Sequence, residues 1–121
     1  MSKSETIPVQ IEAEKLCKHT LTVTNNLNNF PKKYRFTLVD RIVRISFDIH
    51  DDICDANNSY NMEGRVWYIE KAISQCRKMK FYVRLCQEIL RPKCSIEYWD
   101  QLIAGIEKQL QNWRTATKKT I

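Results

Sequence analysis

Glycine and proline are scarce, at two and three in 121 residues. A β-sandwich or barrel needs a turn signal roughly every 8–12 residues and cannot be assembled from so few. A helical chain with three short connections can. No apolar run approaches the ~18 residues that read as a membrane-spanning helix. Met1-Ser2-Lys3-Ser4-Glu5 lacks the apolar stretch of a secretory signal, so a cytoplasmic location is expected. Paired cysteine spacings are missing too. Cys17, Cys54, Cys76, Cys86 and Cys94 are odd in number and no two stand as CxxC, which argues against a disulfide scaffold and a zinc site. As small apolar fillers in a reducing compartment they are better explained. There is no glycine-rich phosphate loop, no HExxH and no GxSxG. No metal or cofactor is expected.

What is present is a core. The apolar fraction of 43% suffices for one packed domain spanning residues 1–121. The periodicity predicts four helices, at about 7–27, 33–56, 63–91 and 95–115. In the first, Thr6 is a candidate N-cap and Pro8 suits the opening turn. Its expected core positions are Ile11, Leu16, Leu21 and Leu27, with Cys17 and Thr24 filling in. Pro31 closes the asparagine-rich stretch after it. The second carries Leu38, Ile42, Ile45, Ile49, Ile53 and Ala56 on one stripe and Val43, Phe47 and Cys54 on another. Together these cover roughly 200°, more than one bundle core needs. The third aligns Ile69, Ala72, Cys76, Met79, Val83, Cys86 and Leu90, and Pro92 ends it. Ser95 caps the fourth, which carries Trp99, Leu102, Ile103, Ile106, Leu110 and Trp113. Gly105 inside it suggests a close helix approach, and the tail from Thr115 is expected to fray. The fold class is all-α: an antiparallel up-down-up-down four-helix bundle with short loops. Val43, Phe47, Phe81 and Leu85 are the candidate contacts between subunits of a homo-oligomer.

Twenty basic residues against 14 acidic ones give a net charge of +6, which points to a polyanionic partner. In the second helix Lys32, Lys33, Arg35, Arg41 and Arg44 come first, and Asp48, Asp51, Asp52 and Asp55 come last. That order opposes the helix dipole. In the third, Arg77, Lys80, Arg84 and Arg91 fall within roughly 60° and extend about 21 Å. An up-down bundle would bring Lys32, Lys33 and Arg35 to the same end as Arg84, Arg91 and Lys93. Arginine's planar fork suits backbone phosphate, so RNA or DNA held without base specificity is the expected ligand. The aspartates have candidate partners in Arg44, in Arg65, and in Arg114, Lys118 and Lys119. A basic neighbouring subunit is another.

Candidate catalytic groups are few. Arg44 and His50 formally fit the loose arginine-histidine pattern of HEPN ribonucleases, but six residues turn about 240° on a helix and the side chains diverge. His50 reads as a polar residue bordering the core. Cys54 and Cys86 lack a neighbouring base in the pattern, and Trp67, Trp99 and Trp113 read as core or interface aromatics.

The run Phe30-Pro31-Lys32-Lys33-Tyr34-Arg35-Phe36-Thr37-Leu38, followed by Asp40-Arg41-Ile42, resembles the opening of helix 2 in four-helix-bundle proteins of the Avd type. Avd is the accessory variability determinant of diversity-generating retroelements. The stretch from Arg77 to Leu90 and Trp113 extend the similarity, which covers about residues 10–116. The resemblance implies a non-enzymatic, ring-like homopentamer of basic bundles. Such a protein associates with the retroelement's reverse transcriptase and with nucleic acid during mutagenic cDNA synthesis and retrohoming. The basic residues of helices 2 and 3 would be the contact surface. Gln111 and Asn112 stand where the family often has glycines. Relatives encoded in ribosomal RNA intervening sequences share the fold without a settled role, so a structural bundle is the alternative.

Overall fold

The computed structural model describes residues 6–121. Among them lie four α-helices and no strand: α1 (Pro8–Asn25), α2 (Asp40–Asn57), α3 (Met62–Leu90) and α4 (Ile96–Lys118). Each helix packs on the next, and α1 also packs on α4, so the four enclose one core. Along the α2–α3 seam Arg41 meets Tyr82, Asp52 meets Lys71 and Ala56 meets Arg65. Residue numbers thus rise on one helix as they fall on the other. The same opposition holds on α3–α4, where Lys80 meets Glu107 and Glu70 meets Arg114.

In α1 the buried face is Val9, Ala13, Leu16, Thr20, Val23 and Thr24. Ile11, Leu21 and Leu27, expected in the core, are exposed instead. Two threonines set the phase. The Thr24 hydroxyl donates to the Thr20 carbonyl at 2.8 Å, and the Thr20 hydroxyl accepts from Trp99 Nε1 at 3.1 Å. Satisfied in this way, a threonine can occupy a core position that its polarity would deny it. Thr6 makes no cap; α1 starts behind Ile7 with Pro8 in its first turn.

Asn61 caps α3 by accepting from the backbone N–H of Glu63 and of Gly64. Ser95 caps α4 by accepting from Tyr98 N–H, as its position predicts. The end of α4 does not fray at Thr115: the helix continues to Lys118 and buries Thr117. Gly105 is exposed, and a Cβ built there meets nothing within 4 Å, so no helix approaches it within the subunit.

One end of the bundle is tied by its connections. Phe30 is buried and stands edge-on to Trp99, ring centroids 6.3 Å apart. The Asn29 side-chain oxygen accepts from Lys93 N–H at 2.9 Å, joining the α1–α2 connection to the α3–α4 connection. Nothing in the pattern of apolar spacing singled out Phe30 or Asn29.

Candidate nucleic-acid interface

The α-helix of α2 begins at Asp40, later than its apolar stripe predicts. Lys32–Tyr34 form a 3-10 turn, and Arg35–Val39 a π-helical turn. Lys32, Lys33 and Arg35 therefore precede the α-helix instead of crowding its first turn. That turn carries Asp40, the sign the dipole favours. The shift in start relieves only part of the charge order that opposes the dipole, because Arg41 and Arg44 still precede Asp48, Asp51, Asp52 and Asp55 within α2.

The connection and the end of α3 share one end of the molecule through the Asn29–Lys93 bond. Among the described residues Lys32, Lys33, Arg35, Arg84, Arg91 and Lys93 form no ion pair, and all six are exposed. Arg91 adopts a left-handed conformation, φ 46° and ψ 56°, as the residue that ends α3. Glycine is the ordinary occupant of such a position, and an L side chain there is strained.

Farther along the stripe the picture changes. Arg77 Nε donates to Glu107 Oε2 at 3.3 Å, and Lys80 Nζ donates to Glu107 Oε1 at 2.7 Å. Gln111 Nε2 donates to Glu107 Oε2 as well. Glu107 itself is buried. Burial pushes its carboxyl up, but the hydrogen bond and charge of Lys80, then those of Arg77, outweigh it and hold the pKa below the ordinary value. Asp100 on α4 faces Lys80 and Arg84; burial pushes its carboxyl up, and the two cations only partly offset this. Arg41 and Arg44 are engaged too. Arg41 Nε donates to Tyr82 Oη at 3.2 Å, and its guanidinium lies 5.5 Å from that ring's centroid. Arg44 pairs with Asp40 at 2.7 Å, not with Asp48, because an acid one turn before its base is the better helical order.

The acidic half of α2 finds other partners than expected. Asp52 is buried and meets Lys71 at 3.5 Å, while its Oδ2 has no hydrogen-bond partner. Arg65 donates to the carbonyls of Ala56, Asn57 and Ser59, closing the end of α2. Arg114 and Lys118 pair with Glu70.

His50 is half-buried at the edge of the core and stands beside Cys54. Its Nε2 lies 3.6 Å from Cys54 Sγ, and its Nδ1 lies 3.2 Å from Asp51 Oδ1. Cys54 therefore does have a neighbouring base, one turn before it, contrary to the expectation from the sequence pattern. Burial, then the charges of Asp51, Asp55 and Glu14, push the Cys54 thiol up, opposite to the shift that activates a nucleophile. Burial also pushes the Cys86 thiol up, to about 12. Among the described residues no group of three His, Cys, Asp or Glu side chains could hold a metal ion. Among them, too, no helix is long and apolar enough to cross a membrane.

Phe47 and Phe81 are exposed, and Val43 and Leu85 are half-buried. Trp67 is exposed with Lys71 Nζ 5.3 Å from its ring centroid, so it contributes little to the core. Trp113 is half-buried under the Arg65 guanidinium. No protein-family model, curated protein or solved structure matches the chain.

Proposed function

We propose that this chain is a non-enzymatic accessory protein that holds RNA or DNA beside a reverse transcriptase, in the manner the Avd-like sequence run implies. The observation that carries the reading is the group of six exposed cations without ion pairs, Lys32, Lys33, Arg35, Arg84, Arg91 and Lys93, at the end where the two connections meet. Arginine and lysine freed from internal acids are available to phosphate, and such contacts read backbone rather than sequence. An antiparallel up-down-up-down arrangement is supported by the opposed numbering along both seams of α3. Assembly into a homo-oligomer, a pentamer by the resemblance, would use Val43, Phe47, Phe81 and Leu85 and cover side chains that a lone subunit leaves partly in water. Arg77 and Lys80 stay in the proposed surface as its flank, with part of their charge already met by Glu107.

Salt-titrated binding to RNA and DNA oligonucleotides tests this. Affinity should fall steeply as salt rises, by a slope of roughly 0.7–0.9 per phosphate contact. Charge reversal at Arg84 and Lys93 should weaken all sequences by similar factors. Affinity indifferent to salt, or absence of binding at low salt, overturns the reading. A mass measurement in solution decides the assembly.

A further inference from the structure

The α1–α2 connection covers a cavity of about 240 Å³ at the basic end. Asn25, Leu27, Phe30, Lys32, Arg35 and Val39 line it. Its walls are of three kinds. Leu27, Phe30 and Val39 are apolar. Lys32 and Arg35 are cations that form no ion pair among the described residues. The Asn25 carboxamide, with no hydrogen bond to the protein among those residues, offers a donor and an acceptor together. A free inorganic anion has no use for the apolar wall, and a purely apolar ligand has none for the cations. A planar body with a polar edge and an attached phosphate uses all three.

We infer that this cavity takes one unpaired nucleotide of a single strand. The phosphate lies against Lys32 and Arg35, the base against Leu27 and Val39, and the base edge meets Asn25. The inference rests on the nucleic-acid reading above and adds to it the form of the ligand. At about 240 Å³ the cavity falls just below the ~300–1,000 Å³ of common ligand pockets, so it has room for one base, with its phosphate at the cationic rim, and not for a stacked pair. A base inside a duplex is stacked and paired and cannot enter without being flipped out. Phe36 supplies a second, separate observation. It is 87% exposed, on the π-helical turn beside Arg35, where burial cannot account for an aromatic side chain. An exposed ring among cations is a stacking platform for the base next to the inserted one. Helical turns of the π type recur at functional sites, where they displace a side chain from the regular path.

The test compares a single-stranded oligonucleotide with a duplex of the same length, bound to the full chain at fixed salt. The variants are Leu27→Trp, which fills the mouth from an exposed position, and Phe36→Ser, which changes only an exposed ring. Adenosine and uridine monophosphates, followed by NMR shifts at Asn25, Leu27 and Val39, probe the cavity alone. The expected result is tighter binding of the single strand. Each variant should cut that preference about tenfold, with duplex affinity and salt slope unchanged. Shifts on the named residues should appear with the wild type and vanish in Leu27→Trp. Equal binding of strand and duplex, or variants that bind the strand like wild type, overturns the cavity assignment while the basic surface stands. Failure of both oligonucleotides to bind at low salt overturns the surface and the cavity together.

Discussion

The two halves of the cationic stripe on α3 differ in what stands opposite them. Arg77 and Lys80 face Glu107, a buried carboxylate on α4 that both of them bond. Arg84 has only Asp100 across from it and forms no ion pair with it, Arg91 forms none among the described residues, and Lys32, Lys33, Arg35 and Lys93 join them from the connections. By residue type and spacing the halves are alike. One half clasps α3 to α4, and the other is open to a ligand. The charge of a stripe is therefore not the charge it offers. What a partner meets is what remains after the fold has used some cations on its own acids.

The largest effect expected on this contrast comes from removing what holds the open half in place. Trp99 is fully buried, bonds Thr20 and packs against Phe30 and the His19 ring. Trp99→Ala should cost about 3–5 kcal/mol in urea unfolding. It also leaves the Thr20 hydroxyl without its donor. The open half should lose its ligand along with its support, so affinity and stability fall together.

Glu107→Gln comes next and acts on the closed half. It leaves Arg77 and Lys80 facing a neutral amide. Those two side chains are 61% and 39% exposed, so water screens part of the loss, and about 1–2 kcal/mol of stability should disappear. The pH dependence follows in sign. Glu107 has a folded pKa below its ordinary 4.5, so its stabilisation is present above about that pH and is lost as pH falls through the folded value. Gln removes this component and should flatten the acid limb below pH 4.5. His19 adds an earlier loss as pH drops below 6.5, because burial lowers its pKa. Asp52, pushed up first by burial, works in the opposite sense and gains as the medium turns acid. Urea midpoints from pH 3 to 8 on wild type and Glu107→Gln check the pattern. Because the exchange raises net charge, nucleic-acid affinity at low salt should rise even as stability falls.

Much of the bundle was legible because its signals are local. The stripes of α2, α3 and α4 have the helical period, and Pro92 and Ser95 punctuate where the spacing says they should. The face of α1 was legible only in part: Leu16 and Thr24 are buried as expected, but Ile11, Leu21 and Leu27 are not. Thr20 earns its burial through a bond to Trp99, 79 residues away, and no local count of apolar residues contains that partner. The start of α2 was missed for a related reason. The turns over residues 32–39 keep the apolar pattern of a helix while bonding as 3-10 and π. In the candidate interface, the type and position of every cation were readable. Which of them the fold had already engaged depended on Glu107, whose place on the helix face of Ile103, Ile106 and Leu110 was the one available hint.

Arg91 sharpens the contrast from the open side. Its left-handed conformation is one that glycine adopts without strain. Arg91→Gly should therefore raise stability by about 1 kcal/mol. The same change deletes an open cation, and the slope of log affinity against log salt should decrease by about 0.7–0.9. Stability gained with binding lost would mark Arg91 as a residue kept for its charge. A stable variant with unchanged slope would remove it from the interface.

The smallest effect, from Gly105→Ala, separates stability from charge. Gly105 is exposed on α4, two residues from Glu107, and a helix does not bring residues so spaced onto one face. The new methyl group meets nothing within 4 Å, so the substitution adds helix propensity and takes no space from a neighbour in the subunit. Thermal unfolding should show a gain of about 0.8–1 kcal/mol. Salt slope, single-strand preference and the acid limb set by Glu107 should all match wild type, since no charge has moved. Binding that tightens with this variant would mean that the stiffness of α4, and not its carboxylate, limits the closed half. A fall in assembly mass would place another copy of the chain against this helix, the close approach that its glycine suggested in the sequence.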